Sequence, residues 1–132
     1  MIVDTSALIA IAKMEPEAAS IAGAMEKADT LRISAGTLLE AFIVVDGYRS
    51  PKVSARLEEI VEHSRMVIEP VTAEQARIAR QAYRDFGKGS GHPAHLNFGD
   101  CFSYALARDK REPILYKGDD FAHTGLRSAL EA

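Results

Sequence analysis

Short apolar runs alternate with longer stretches of helical periodicity from one end of the chain to the other. Met1–Asp4, Leu31–Ser34, Met66–Glu69 and Ile114–Tyr116 read as strands. Ile2-Val3 and Ile114-Leu115-Tyr116 are unbroken apolar runs, the mark of strands covered on both faces. Between the strands the period changes to that of a helix. Thr5 or Ser6 can cap a first helix reaching about Lys13. Glu15–Asp29 follows, with Pro16 in its first turn and Ala19, Ala22, Met25 and Ala28 on one face. Residues 36–49 form an apolar helix that contains Glu40. Pro51 or Lys52 opens the next, with Val53, Leu57, Ile60, Val61 and Ser64 on one side. Thr72 caps a helix over 73–86 whose core face is Ala76, Ala79, Tyr83 and Phe86, and Asn97 caps another over 98–109. Strands alternating with helices predict a parallel sheet with helices on both faces. The Gly/His/Pro-rich stretch Gly87–Leu96 reads as a loop inside one domain spanning 1–132.

Composition narrows the class without naming a function. An apolar fraction of 47% and a charged fraction of 27% are those of a soluble globular domain. The single cysteine, Cys101, excludes an internal disulfide and suits a reducing cytosol. The opening Met-Ile-Val-Asp carries no basic leader, and the longest apolar run, Ala7–Ala12, is too short to cross a bilayer, so the expectation is a cytoplasmic protein with no membrane partner. A net charge of −3 argues against coating nucleic acid through bulk positive charge. It leaves open an enzyme that holds nucleic acid through metal ions and a local basic patch.

Ligands in open α/β sheets bind at the carboxyl ends of the strands, so the polar residues there matter most. Asp4 ends the first strand, where it can serve as a helix cap or as a functional acid. Glu40 lies in an apolar helix, where a carboxylate needs an ion-pair partner or a metal. Asp100 opens the helix after Asn97 among Phe98, Cys101, Phe102 and Tyr104; it can complement the helix dipole or work at a site. Asp119 and Asp120 follow the last strand through Lys117-Gly118, in a turn of ordinary Gly-Asp type. Four such acids brought together would repel one another unless cations sat among them, and oxygen donors of this kind suit Mg²⁺ or Mn²⁺. Metals so held activate water and stabilise charge in a displacement at phosphorus. The residues therefore point to a metal-dependent phosphodiester hydrolase.

Met1-Ile-Val-Asp-Thr-Ser-Ala-Leu, the spacing to Glu40, and Asn97-Phe-Gly-Asp-Cys-Phe-Ser-Tyr-Ala-Leu-Ala with Pro113-Ile-Leu-Tyr-Lys-Gly-Asp-Asp-Phe resemble PIN-domain nucleases of the VapC toxin type. The resemblance implies a three-layer α/β/α domain with a central parallel sheet of four to five strands. It implies an endoribonuclease that uses Mg²⁺ or Mn²⁺ to cut RNA such as tRNA or rRNA. Carried over, the catalytic quartet is Asp4, Glu40, Asp100 and Asp119, with Asp120 kept as the other candidate for the fourth acid. Asp4, Asp100, Asp119 and Asp120 are the implied metal ligands, and Thr5 or Ser6 adds a hydroxyl nearby. The resemblance also implies a homodimer and a VapB-type antitoxin partner that lays a basic segment over the acids. Thr124-Gly125 departs from the Thr-Asp of many relatives, which removes an outer acid.

Arg77, Arg80, Arg84 and Lys88 recur at i, i+3, i+7 and i+11, a basic stripe for RNA phosphates or a plain solvated face. Lys117, Lys110, Arg111 and the loop His92–His95 also lie where substrate can approach. The apolar helices near 7–12 and 38–45 offer either core or a face for a second copy or an antitoxin helix. His63, His92, His95 and His123 form no nucleophile-and-base set, and neither phosphate-loop pattern is present. The competing expectation is a catalytically inactive PIN-like module that binds RNA or protein.

Overall fold

The computed structural model describes residues 1–131. Four parallel strands, β1 (Ile2–Val3), β2 (Arg32–Ser34), β3 (Val67–Glu69) and β4 (Ile114–Leu115), lie in the order β3-β2-β1-β4. Ile2 pairs with Arg32 on one side and Ile114 on the other. Strand residues alternate between two cores, as the pleat requires. Val3, Ile33 and Leu115 face a core completed by α1 (Thr5–Ala12), α2 (Ala18–Lys27), α3 (Ala35–Gly47) and α4 (Pro51–Ser64). Ile2 and Ile114 face the opposite core, with Ala82, Leu96, Tyr104 and Leu106 from α5 (Ala73–Phe86), α6 (Phe98–Lys110) and the loop between them. The domain is thus a three-layer α/β/α fold, with four strands in its parallel sheet.

Local chemistry sets the boundaries. Thr72 caps α5 through the Gln75 N–H, and Asn97 and Asp100 form a reciprocal capping box on α6. Three sequence expectations change. Asp4, not Thr5 or Ser6, caps α1, because its carboxylate accepts the Ser6 N–H at 3.0 Å. Helix α2 starts at Ala18 rather than Glu15: Met14 turns left-handed (φ 55°) and the Glu15 N–H returns to the Ala10 carbonyl, closing α1 and spending Glu15–Glu17 on a turn. Helix α5 is rotated by about one residue, roughly 100°, from the face its alanines suggest. Gln75 is buried and donates to Asp109 at 3.0 Å, Ile78, Ala82 and Phe86 pack inward, and Ala76 and Tyr83 are left exposed. The segment 7–12 is largely core, whereas α3 leaves Leu39 and Ile43 exposed. No helix among the described residues is long and apolar enough to cross a membrane.

Candidate active site

Four chain segments meet at the carboxyl ends of β1 and β4. They line a cleft of about 240 Å³ with Asp4, Thr5, Ser6, Glu40, Asn97, Asp100, Lys117 and Asp120. Asp4 arrives from the end of β1, Glu40 from the second turn of α3, Asp100 from the first turn of α6, and Asp120 from the turn after β4.

Hydroxyls hold the acids in place. Ser103 Oγ donates to Asp4 Oδ1 at 2.5 Å, and Thr37 Oγ1 stands 3.1 Å behind Ser103. Ser6 Oγ donates to Asp4 Oδ2 at 2.7 Å and accepts the Lys117 backbone N–H at 2.9 Å, which ties the end of β4 to the end of β1. Thr5 Oγ1 donates to Glu40 Oε1 at 2.6 Å. Asp4 is therefore both the cap of α1 and a member of the cleft. Glu40 enters because residue 99 is glycine: a Cβ there would overlap the Glu40 carboxylate. Gly36 likewise admits the Phe102 ring, which seats α3 close against α6.

The acids carry surplus negative charge. Burial pushes the Asp4 carboxyl above its ordinary value, against the lowering pull of Ser103 and Ser6. Burial raises the Asp100 carboxyl to about 7; the Asn97 N–H opposes this, while the charges of Asp4 and Asp120 and a hydrogen bond with Asp120 add to it. Lys117 lines the cleft, but its ammonium is held by Glu15 at 3.0 Å and Glu17 at 3.2 Å. The donor set is all oxygen, which matches a hard divalent cation. Among the described residues no three acidic, histidine or cysteine side chains already converge on one ligand point. A cation would therefore need the aspartates of the cleft to close on it.

Other sequence candidates fall elsewhere. Asp119 is exposed and does not line the cleft, while its neighbour Asp120 does; the turn, with Gly118 at φ 100°, decides between them. Arg77 pairs with Glu74 at 2.8 Å on the solvent face. Arg80 and Arg84 border a separate apolar groove, and Lys88 sits in the loop after α5, its N–H on the Leu96 carbonyl. Cys101 is pushed up to about 11 by burial and by the Asp100 charge, so it offers no thiolate at neutral pH. The sequence reading passed over Ser103, Thr37 and Gly99. The available signals were Ser103's spacing of three from Asp100 along α6, and a helix glycine directly before the acid.

Comparison with known proteins gives the family and the fold. The PIN domain profile matches residues 1–126. The chain is 59% identical over 131 residues to Ribonuclease VapC28 of Mycobacterium tuberculosis, covering 99% of this chain and 98% of that protein. The same figures hold for VapC ribonuclease Mb0625 of Mycobacterium bovis. Identity is 45% over 129 residues to Ribonuclease VapC42 of Mycobacterium tuberculosis, covering 98% of each. The fold matches the crystal structure of Mycobacterium tuberculosis VapC20, described as a Sarcin-Ricin loop cleaving toxin, with a TM-score of 0.73 at 19% identity over 95% of each chain. With nearly its whole length aligned to these proteins, the chain belongs to the PIN-domain family, among the VapC ribonucleases.

Proposed function

We propose that this ribonuclease is a Mg²⁺- or Mn²⁺-dependent endonuclease and the toxin half of a toxin–antitoxin pair, with Asp4, Glu40, Asp100 and Asp120 as its working acids. The observation that carries the reading is the gathering of four carboxylates from four separate segments into one cleft with, among the described residues, no free cation lining it. Its substrate is RNA, structured RNA such as tRNA or rRNA being the class expected. Its site of action is the cytoplasm, its inhibitor a VapB-type antitoxin, and its working form a homodimer.

Asp4, Asp100 and Asp120 would hold the metal, which when bound makes water a stronger nucleophile and offsets negative charge developing at phosphorus. Asp4 is fixed by Ser6 and Ser103, so its position costs no reorganisation during the reaction. Glu40 keeps Oε1 on Thr5 and has Oε2 to accept a proton from the attacking water. The water oxygen bonds to phosphorus, the P–O bond to the leaving nucleotide breaks, and that oxygen takes up a proton from solvent.

Cleavage of a total-RNA pool by purified protein tests this, with Mg²⁺, with Mn²⁺, with EDTA, and beside Asp4→Asn. The expected result is cutting at a few sites that needs metal and is lost in the variant. Folded, antitoxin-free protein that cuts under none of these conditions would overturn the reading in favour of a binding module.

A further inference from the structure

The cleft carries a cation of its own and holds it away from the acids. Lys117 lines the same hollow as Asp4, Asp100 and Asp120. Its backbone N–H rests on Ser6 Oγ at 2.9 Å, and that hydroxyl donates to Asp4 Oδ2 at 2.7 Å. The lysine is thus rooted one hydroxyl away from Asp4, and its ammonium rides on a long, flexible stem. An ammonium so placed and free to turn would settle among the carboxylates, because crowded like charges favour any opposite charge within reach. Here the side chain is held elsewhere. Glu15 Oε1 accepts from Lys117 Nζ at 3.0 Å, and Glu17 Oε2 lies 3.2 Å from the same nitrogen. Contact with Glu15 and Glu17 raises the ammonium above its ordinary value, so it stays charged.

The chain spends a turn on this grip. Met14 is left-handed and the Glu15 N–H returns to the Ala10 carbonyl at 2.8 Å, so α1 ends and Glu15-Pro16-Glu17 stand ahead of α2. Two glutamates flanking one proline then converge on one ammonium. Glu17 Oε2 is covered from water and has no hydrogen bond of good geometry; the ammonium at 3.2 Å is what compensates its charge. The other oxygen of Glu15 faces Lys13 at 3.9 Å. One glutamate would suffice to tie the end of β4 to the α1–α2 turn. A second adds a like charge beside the first, which the ammonium must offset, and makes the lysine harder to release. Neither glutamate lines the cleft itself.

We propose that Glu15 and Glu17 are positioning residues that hold Lys117 off Asp4, Asp100 and Asp120, so that a divalent cation, and not the chain's own ammonium, neutralises the cleft. The inference rests on the metal-dependent ribonuclease reading and deepens it: the readiness of the acids for metal depends on two further acids outside the cleft, acting through one lysine.

Mn²⁺ alone is the probe, titrated calorimetrically into the full chain at pH 7.5 in about 0.5 M KCl, where charges more than roughly 4 Å apart are screened. The double variant Glu15→Gln/Glu17→Gln leaves Lys117 free to turn inward and should bind Mn²⁺ at least about tenfold more weakly than wild type. Adding Lys117→Met to it should restore affinity to within about threefold of wild type, since the lysine carries the whole effect. RNA cleavage should show the same competition: slow in the double variant at low Mn²⁺, and approaching the wild-type rate as Mn²⁺ is raised, which a distorted site would not do. Glu17→Gln alone, at a side chain 44% exposed, should show a smaller loss that Lys117→Met also reverses, and it decides the question where the double variant does not fold. Wild-type affinity in folded glutamate variants overturns the inference. So does a loss that Lys117→Met leaves in place, the result expected of a purely structural tie. A wild type that binds no Mn²⁺ is the separate failure of the metal reading, and overturns this inference with it.

Discussion

Two clusters of charged groups sit on this domain, and they are built in opposite ways. Around Arg32 the charges balance: its guanidinium donates to Glu112 at 2.7 Å and to Glu69 at 2.9 Å, and the amino terminus donates to Glu112 at 2.8 Å. Burial alone would raise the Glu112 carboxyl, but the bonds from the amino terminus and Arg32 hold it below its ordinary value. The hydrogen bonds that Arg32 donates to Glu112 and Glu69 raise its own value. In the cleft the sign reverses: hydroxyls and backbone N–H groups steady Asp4 and Asp100, burial wins, and both carboxyls are pushed up. The first cluster joins strands and has nothing left to bind. The second spends folding free energy to hold like charges together, the arrangement expected of a site awaiting a cation or substrate.

The contrast breaks most sharply by removing an acid. Asp120→Asn should lower the cleavage rate on the order of a thousandfold, as should loss of Asp4, while Asp119→Asn should stay within about twofold on the same RNA. Equal losses at 119 and 120 would show that the turn is not read correctly. Next in size is Gly99→Ala, which must drive the Glu40 carboxylate from the cleft. Displacing a reacting group by about an ångström costs on the order of a hundredfold in rate, so turnover should fall far more than the melting temperature does. On the balanced side, Arg32→Met should lower Tm by several degrees and leave cleavage unchanged at temperatures where the variant is folded. Loss of activity without loss of stability there would erase the distinction.

The smallest effect is in pH. In the folded, metal-free protein Asp100 titrates at about 7, against 3.8 for the free side chain. Between those values the native state keeps a proton that the unfolded chain releases, so the contribution of Asp100 to stability is full at low pH and is lost as pH rises through 7. In EDTA, Tm should therefore rise as the pH is lowered from 8 to 5. That slope should flatten in Asp100→Asn, which should also melt higher than wild type at pH 8. Below the ordinary carboxylate range the trend turns over, as Glu112 takes up a proton and its pairs are lost.

Much of this was legible in the residues. Unbroken apolar runs located β1 and β4 because strands buried on both faces show no polar alternation, whereas β2 (Arg32-Ile33-Ser34) and the largely exposed edge strand β3 were placed by short apolar segments between helical stretches. Thr72 and Asn97 announced their helices because capping chemistry is local. Asp4 was read as either a cap or a site acid; in the structure it caps α1 through the oxygen on the Ser6 N–H and also lines the cleft, its other oxygen held by Ser103. The face of α5 was missed because alanines at 76 and 79 fit either side, and what settles it is a partner distant in sequence, Asp109 on Gln75. Asp119 and Asp120 differ only in which way one turn points. Thr37 carried no local signal, and Ser103 only its spacing of three from Asp100, since the two form a buried hydroxyl pair between α6 and α3.

The central claim is that the cleft's surplus charge is completed by a divalent cation. It is tested most directly by melting the protein in EDTA and then in increasing Mn²⁺ or Mg²⁺ at pH 7.5, wild type beside Asp100→Asn. A cation bound only by the folded chain must raise Tm progressively with its concentration. The account predicts that rise in the wild type and its near absence in the variant. A wild-type Tm indifferent to both metals, or an equal rise in Asp100→Asn, would contradict it.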